Sequence, residues 1–179
     1  MNKKEIQANV HRLLASGTAK SEVFTQLSGQ GVKDSKLAYF IASYADPNRC
    51  DKHDRKVNIL ITFMFIQAAI GLLVGFGVGA QIGPNAKWIF GALGALIPLL
   101  FVWGFYKHLA GAYNAYILLS ILQLPKPFDG FASSPLATSI AFAVNIMLLA
   151  YAWYIREKLF PDFAFIAPRK IKGKYVFSD

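Results

Sequence analysis

The sequence predicts an all-α protein: a polytopic membrane four-helix bundle with a small cytoplasmic N-terminal helical module. Three observations lead there. Of the 179 residues, 55% are hydrophobic and 16% charged, whereas charged residues make up about a quarter of an ordinary soluble domain. The charges are also segregated: between Lys56 and Arg156 only Lys87, Lys107, Lys126 and Asp129 carry one. They bound uncharged intervals of 30, 19, 18 and 26 residues (57–86, 88–106, 108–125 and 130–155), and a helix needs roughly 20 apolar residues to cross about 30 Å of hydrocarbon. Finally, lysine and arginine crowd both ends of the chain. Cytoplasmic flanks concentrate these residues, so both ends are expected in the cytoplasm and the number of crossings is expected to be even.

The module, residues 1–45, reads as three short helices. Ile6, Val10, Leu13 and Leu14 share one helical face, and Gly17 suits a stop. Val23, Phe24 and Leu27 mark the second helix, with Thr18 or Ser21 as its N-cap and Gly29 and Gly31 behind it. Asp34 is positioned to cap a third, whose Leu37, Phe40, Ile41 and Tyr44 follow the i, i+3, i+4, i+7 spacing of a buried face. So short a segment makes a marginal core by itself, which points to docking on the membrane domain, on a second copy or on another protein. No apolar stretch with a cleavage site occupies residues 1–16, so insertion is expected to use the first membrane helix.

Residues 46–56, with Pro47 and seven charged side chains, are expected to form a polar linker and hinge. The transmembrane domain, 57–158, follows with helices at about 57–80, 87–106, 109–124 and 135–155. Pro98 is expected to bend the second by removing a backbone donor. The third is short and carries Asn114, Ser120 and Gln123; the even count argues for it. With four crossings Lys107 falls inside, and Lys87 and Lys126 fall in outward loops. Trp88, Trp103, Tyr106, Tyr151, Trp153 and Tyr154 stand at helix ends, as in an interfacial belt. The basic tail, 159–179, lacks helical periodicity and is expected along the inner membrane face.

Gly71, Gly75, Gly79 and Gly83 recur every fourth residue inside the first uncharged interval. In water such a density of glycine costs a helix roughly 1 kcal/mol per residue relative to alanine, whereas in lipid it lets a neighbouring backbone approach closely. The partner is either Gly91, Gly94 and Ala95 on the second helix or the same face of a second copy; a lipid-accessible groove is a third use. Gln67, Asn114 and Asn145 are read as interhelical hydrogen-bond partners, with a polar path as the alternative. None of the intramembrane polar residues is ionisable, which disfavours proton- or ion-driven transport.

No catalytic constellation emerges, and no enzyme activity, metal or cofactor is expected. Cys50 and His53 lack the second ligand pair that a structural zinc site wants, and His11, His53 and His108 sit in unrelated contexts. No glycine-rich loop carries the lysine that a phosphate site requires. The net charge of +9 is better explained by lipid than by nucleic acid, since Arg169, Lys170, Lys172 and Lys174 suit anionic headgroups. The expected partners are therefore a bilayer with anionic headgroups and a protein partner or second copy, with no nucleic acid. The plan resembles many short bacterial inner-membrane proteins in architecture alone. It leads to the expectation of a membrane-complex subunit, adaptor or scaffold in the bacterial inner membrane. The alternatives are an immunity protein neutralising a membrane-directed toxin, and a small channel or lipid-handling protein.

Overall fold

The structure, a computed structural model, describes residues 2–124 and 134–178. The described residues are all-α, 75% helical, with seven helices and one short hairpin among them: α1 (Lys3–Ala15), α2 (Lys20–Leu27), α3 (Asp34–Ala42), α4 (Pro47–Ile82), α5 (Ala86–Tyr106), α6 (Ala110–Gln123), α7 (Pro135–Leu159), β1 (Lys170–Ile171) and β2 (Lys174–Tyr175). It divides into two compact units, Met1–Cys50 with Arg156–Asp179, and Asp51–Ile155.

In the first unit, Asn2 and Glu5 close a capping box at the start of α1: the Glu5 N–H donates to Asn2 Oδ1 and the Asn2 N–H to Glu5 Oε2, both at 3.0 Å. Gly17, at φ +86°, lets the chain turn so that Thr18 N–H reaches the Leu13 carbonyl and Gly17 N–H that of Leu14, each at 3.1 Å. The start of α2 differs from expectation. Ala19 occupies the N-cap without a side-chain bond, in place of Thr18 or Ser21. Lys33 likewise precedes α3, and Asp34 instead accepts from the Ser28 hydroxyl at 2.8 Å. Ile6, Val10, Leu14, Val23, Leu27, Leu37 and Ile41 form one buried cluster, against which Phe24, Phe40, Tyr44 and Phe177 pack.

Phe177 belongs to the segment that the sequence sets apart as a tail. The residues after α7 instead share a unit with α1–α3, and the reason is Asp162. This carboxylate is 2% exposed, pairs with Lys20 Nζ of α2 at 2.6 Å, and accepts from the Ser178 N–H at 2.6 Å. Its carbonyl accepts from Arg169 N–H. Phe163 packs on Tyr39, and Tyr175 and Phe177 on Phe24. One buried acid thus ties three stretches of chain together.

Residues 47–56 are helical, the first part of α4. Asp46 caps α4 through its side chain, accepting from Asn48 N–H at 2.9 Å, and Pro47 takes the first helical position, where a missing N–H costs nothing. The helix then runs unbroken for 36 residues. Its charges there are spaced as on a solvated helix, Asp51 four residues before Arg55.

In the second unit, α4, α5 and α7 are long and apolar enough to cross a membrane. Large side chains such as Leu73, Trp88 and Leu136 are about 70% exposed, which only an apolar surrounding favours. Where a third crossing is expected, over 109–124, the structure has α6, of 14 residues, which is not among the helices long and apolar enough to cross. At 1.5 Å per residue that is about 21 Å, short of a 30 Å hydrocarbon core. A tight turn separates α5 from α6. His108 takes a left-handed conformation, φ +48°, while His108 N–H and Leu109 N–H bond back to Phe105 and Gly104. Phe101 and Phe105 of α5 then pack edge-on or tilted against Tyr113 and Tyr116 of α6. Lys126, Asp129 and Gly130, in the expected outward loop, lie outside the described residues.

Candidate functional site

Two features of the second unit bear on function: the glycine-lined contact of α4 with α5, and a groove beside it. Gly71, Gly75 and Gly79 meet the backbone of α5. The place a Gly71 side chain would occupy is taken by the Gly94 carbonyl, that of Gly75 by the Phe90 carbonyl, and that of Gly79 by Ala86 and Lys87. Gly94 returns the contact onto the Gly71 carbonyl, and Gly91 faces Leu72. The residue numbers of each pair sum to about 165, the register of two antiparallel helices. Pro98 adds a feature to the Gly71–Gly94 contact. It has no N–H to give Gly94, four residues earlier, and that carbonyl is the one Gly71 approaches. Gly83 lies beyond α4 with open space around it, as does the place for a side chain at Gly77.

The groove, about 690 Å³, lies between α4, α6 and α7, with α5 contributing one wall. Gln67 comes from α4, Asn145 from α7, and Tyr116, Ser120 and Gln123 from one face of α6 at i, i+4, i+7 spacing. The Tyr116 hydroxyl lies beside Ser120 and Gln67. Ile70, Val74, Ile97, Phe101 and Leu148 supply apolar wall. Gln67 stands ten residues after Val57 and Asn145 ten before Ile155, about 15 Å of helix rise in each case. The two amides therefore reach one level, and among the described residues lining the groove only the Tyr116 phenol is ionisable.

Of the intramembrane polar residues singled out by sequence, Gln67 and Asn145 line this groove. Asn114 does not; it is buried elsewhere on α6 at 7% exposure. Tyr116 was missed, although its spacing to Ser120 and Gln123 was a usable signal. The helix ends carry basic and aromatic clusters. Lys56 Nζ donates to the Tyr154 hydroxyl at 2.7 Å and the Tyr151 hydroxyl to the Lys56 carbonyl at 3.2 Å, while Lys87 lies over the Phe76 and Trp88 rings. In the first unit, Arg169, Lys170, Lys172 and Lys174 are exposed on and beside the β1–β2 hairpin, with Lys170 Nζ 4.5 Å from the Tyr175 ring centre. Among the described residues no cluster of three or more His, Cys, Asp or Glu stands ready to hold a metal.

The three long apolar helices are compatible with a membrane protein. No protein-family model matches the chain, and no curated protein or solved structure is significantly similar to it.

Proposed function

We propose that this chain is a non-enzymatic, multi-pass protein of the bacterial inner membrane that works as a subunit, adaptor or scaffold. Its groove receives an uncharged transmembrane segment of a protein partner. The observation that carries this reading is the groove itself. Amide and hydroxyl groups collected at mid-membrane depth have no water to satisfy them, and a partner helix bearing small polar residues supplies hydrogen bonds worth about 1 kcal/mol each. The glycine face, in contrast, is filled by α5 within the same chain, which leaves the groove as the surface for association.

The same reading has four membrane segments and cytoplasmic termini. Lys56, at the entry of α4, lies beside Tyr151 and Tyr154, at the exit of α7, so these two ends share one side. α4 leaves that side and α5 returns to it. The stretch 107–134, which includes α6, then has to carry the chain across again before α7 comes back. Local thinning of the bilayer accommodates a 14-residue helix at modest cost.

The test is photo-crosslinking in the native membrane from Ile70 or Val144 in the groove and from Leu100 as a comparison. A discrete protein adduct from the groove positions, lost in Gln67→Leu with Asn145→Leu while the chain stays folded, is expected. Adducts to lipid alone would turn the assignment to the lipid-handling reading, which the size and lining of the groove also suit; phospholipid transfer between vesicles above the protein-free rate would establish it.

A further inference from the structure

The segment after α7 makes two successive turns, and their tips differ in chemistry. Phe163 and Pro168 pair across the first, and Ala164 N–H donates to the Ala167 carbonyl at 3.0 Å. That leaves Phe165 and Ile166 at the tip, 37% and 41% exposed. Turn tips ordinarily carry Gly, Asn, Asp, Pro or Ser, so two adjacent large apolar residues there have no local conformational reason. The second turn is a two-residue hairpin with Lys172 and Gly173 at φ +49° and +81°. Its Lys170–Tyr175 pair lies toward Phe24 of α2, so Ile171 and Lys174 occupy the other face. From Phe163 to Ser178 the chain has four cations and no acid.

We propose that these two tips dock on the surface of the bilayer that α7 has just left. Phe165 and Ile166 enter the headgroup and acyl boundary, joined by Ile171, while Arg169, Lys172 and Lys174 bind anionic headgroups. Three features commit the surface to lipid. An apolar tip beside a cationic one matches the layering of an anionic membrane surface, apolar below and negative above. Ile166 is seven residues from the end of α7 at Leu159, so it lies within about 25 Å of the point where the helix ends. Both turns are also held in shape before docking, because Asp162 fixes Lys20, Arg169 and Ser178; little ordering cost remains at the surface. The inference rests on the membrane reading but not on the groove.

The test uses the full chain in a Cys50→Ala background, reconstituted in nanodiscs of phosphatidylcholine alone or mixed equally with phosphatidylglycerol. An environment-sensitive dye is attached through Ile166→Cys, and through Leu73→Cys as a reference for insertion of α4. The dye at 166 is expected to shift to the blue and to be quenched by brominated lipid, more strongly in the anionic discs. Lys172→Gln with Lys174→Gln is expected to move the docked-to-free ratio about 25-fold towards free, two contacts of about fivefold each. A dye at 166 that stays equally open to aqueous iodide in both discs, with the dye at 73 quenched by lipid, overturns the docking alone. Such a result would leave an acidic protein as the partner of this surface. A dye at 73 that lipid fails to quench overturns the membrane reading along with it.

Discussion

Glycines that look alike in the sequence carry unequal weight. At Gly75 even a methyl group meets the Phe90 carbonyl, while at Gly77, two residues on, it meets nothing. Gly75→Ala is therefore expected to push α4 from α5 and cost 1–3 kcal/mol, typically about 2, as overpacking does. Gly77→Ala should be neutral or slightly stabilising, since alanine is the better helix former. Thermal unfolding in mild detergent compares the two directly, and equal melting points would contradict the close approach. Asp162 gives a second asymmetry. Its carboxylate is 2% exposed and the side chain of Lys20 13%, so only the lysine can turn to water when its partner is lost. Lys20→Met, which strands a buried carboxylate, is expected to cost about 3 kcal/mol. Asp162→Asn keeps an acceptor for Ser178 N–H and should cost less, about 1–2 kcal/mol. Hydrogen exchange at Ser178 and along α2 reads both.

Among the elements, α1–α3 were legible because burial imposes a period: all seven buried residues of their cluster fall in the apolar sets spaced at three and four. The start of α4 was misread for the opposite reason. Proline beside a run of charges reads as a connector, but Asp46 and Pro47 are also the cap and first residue of a helix, and a charged helix in water shows no apolar stripe to betray it. α6 sits at the margin, too short for a straight crossing and indispensable to an even count. Cysteine accessibility in intact cells tests it: labels through Asn85→Cys and Gly130→Cys are expected to react from outside, and one through Lys107→Cys only after the membrane is opened. Reaction of 107 and 130 from the same side would mean that α6 does not cross.

For the whole molecule, what the sequence determined by itself is the solvent. Uncharged intervals of membrane length, aromatic and basic helix ends and glycine every fourth residue are properties of composition and spacing, because transfer to lipid acts on each segment separately. The groove was only half visible. Gln67 and Asn145 stood out as polar residues in apolar runs, but their meeting with Tyr116, Ser120 and Gln123 depends on the rotation of three helices about their axes, which no single helix encodes. The assignment of the glycine face to α5 rather than a second copy, and the fastening of the final segment to α2 through Asp162 and Lys20, 142 residues apart, belong to tertiary structure for the same reason. Pairings distant in the chain leave no periodic trace; they are decided where packing and the desolvation of a buried charge select one partner among many.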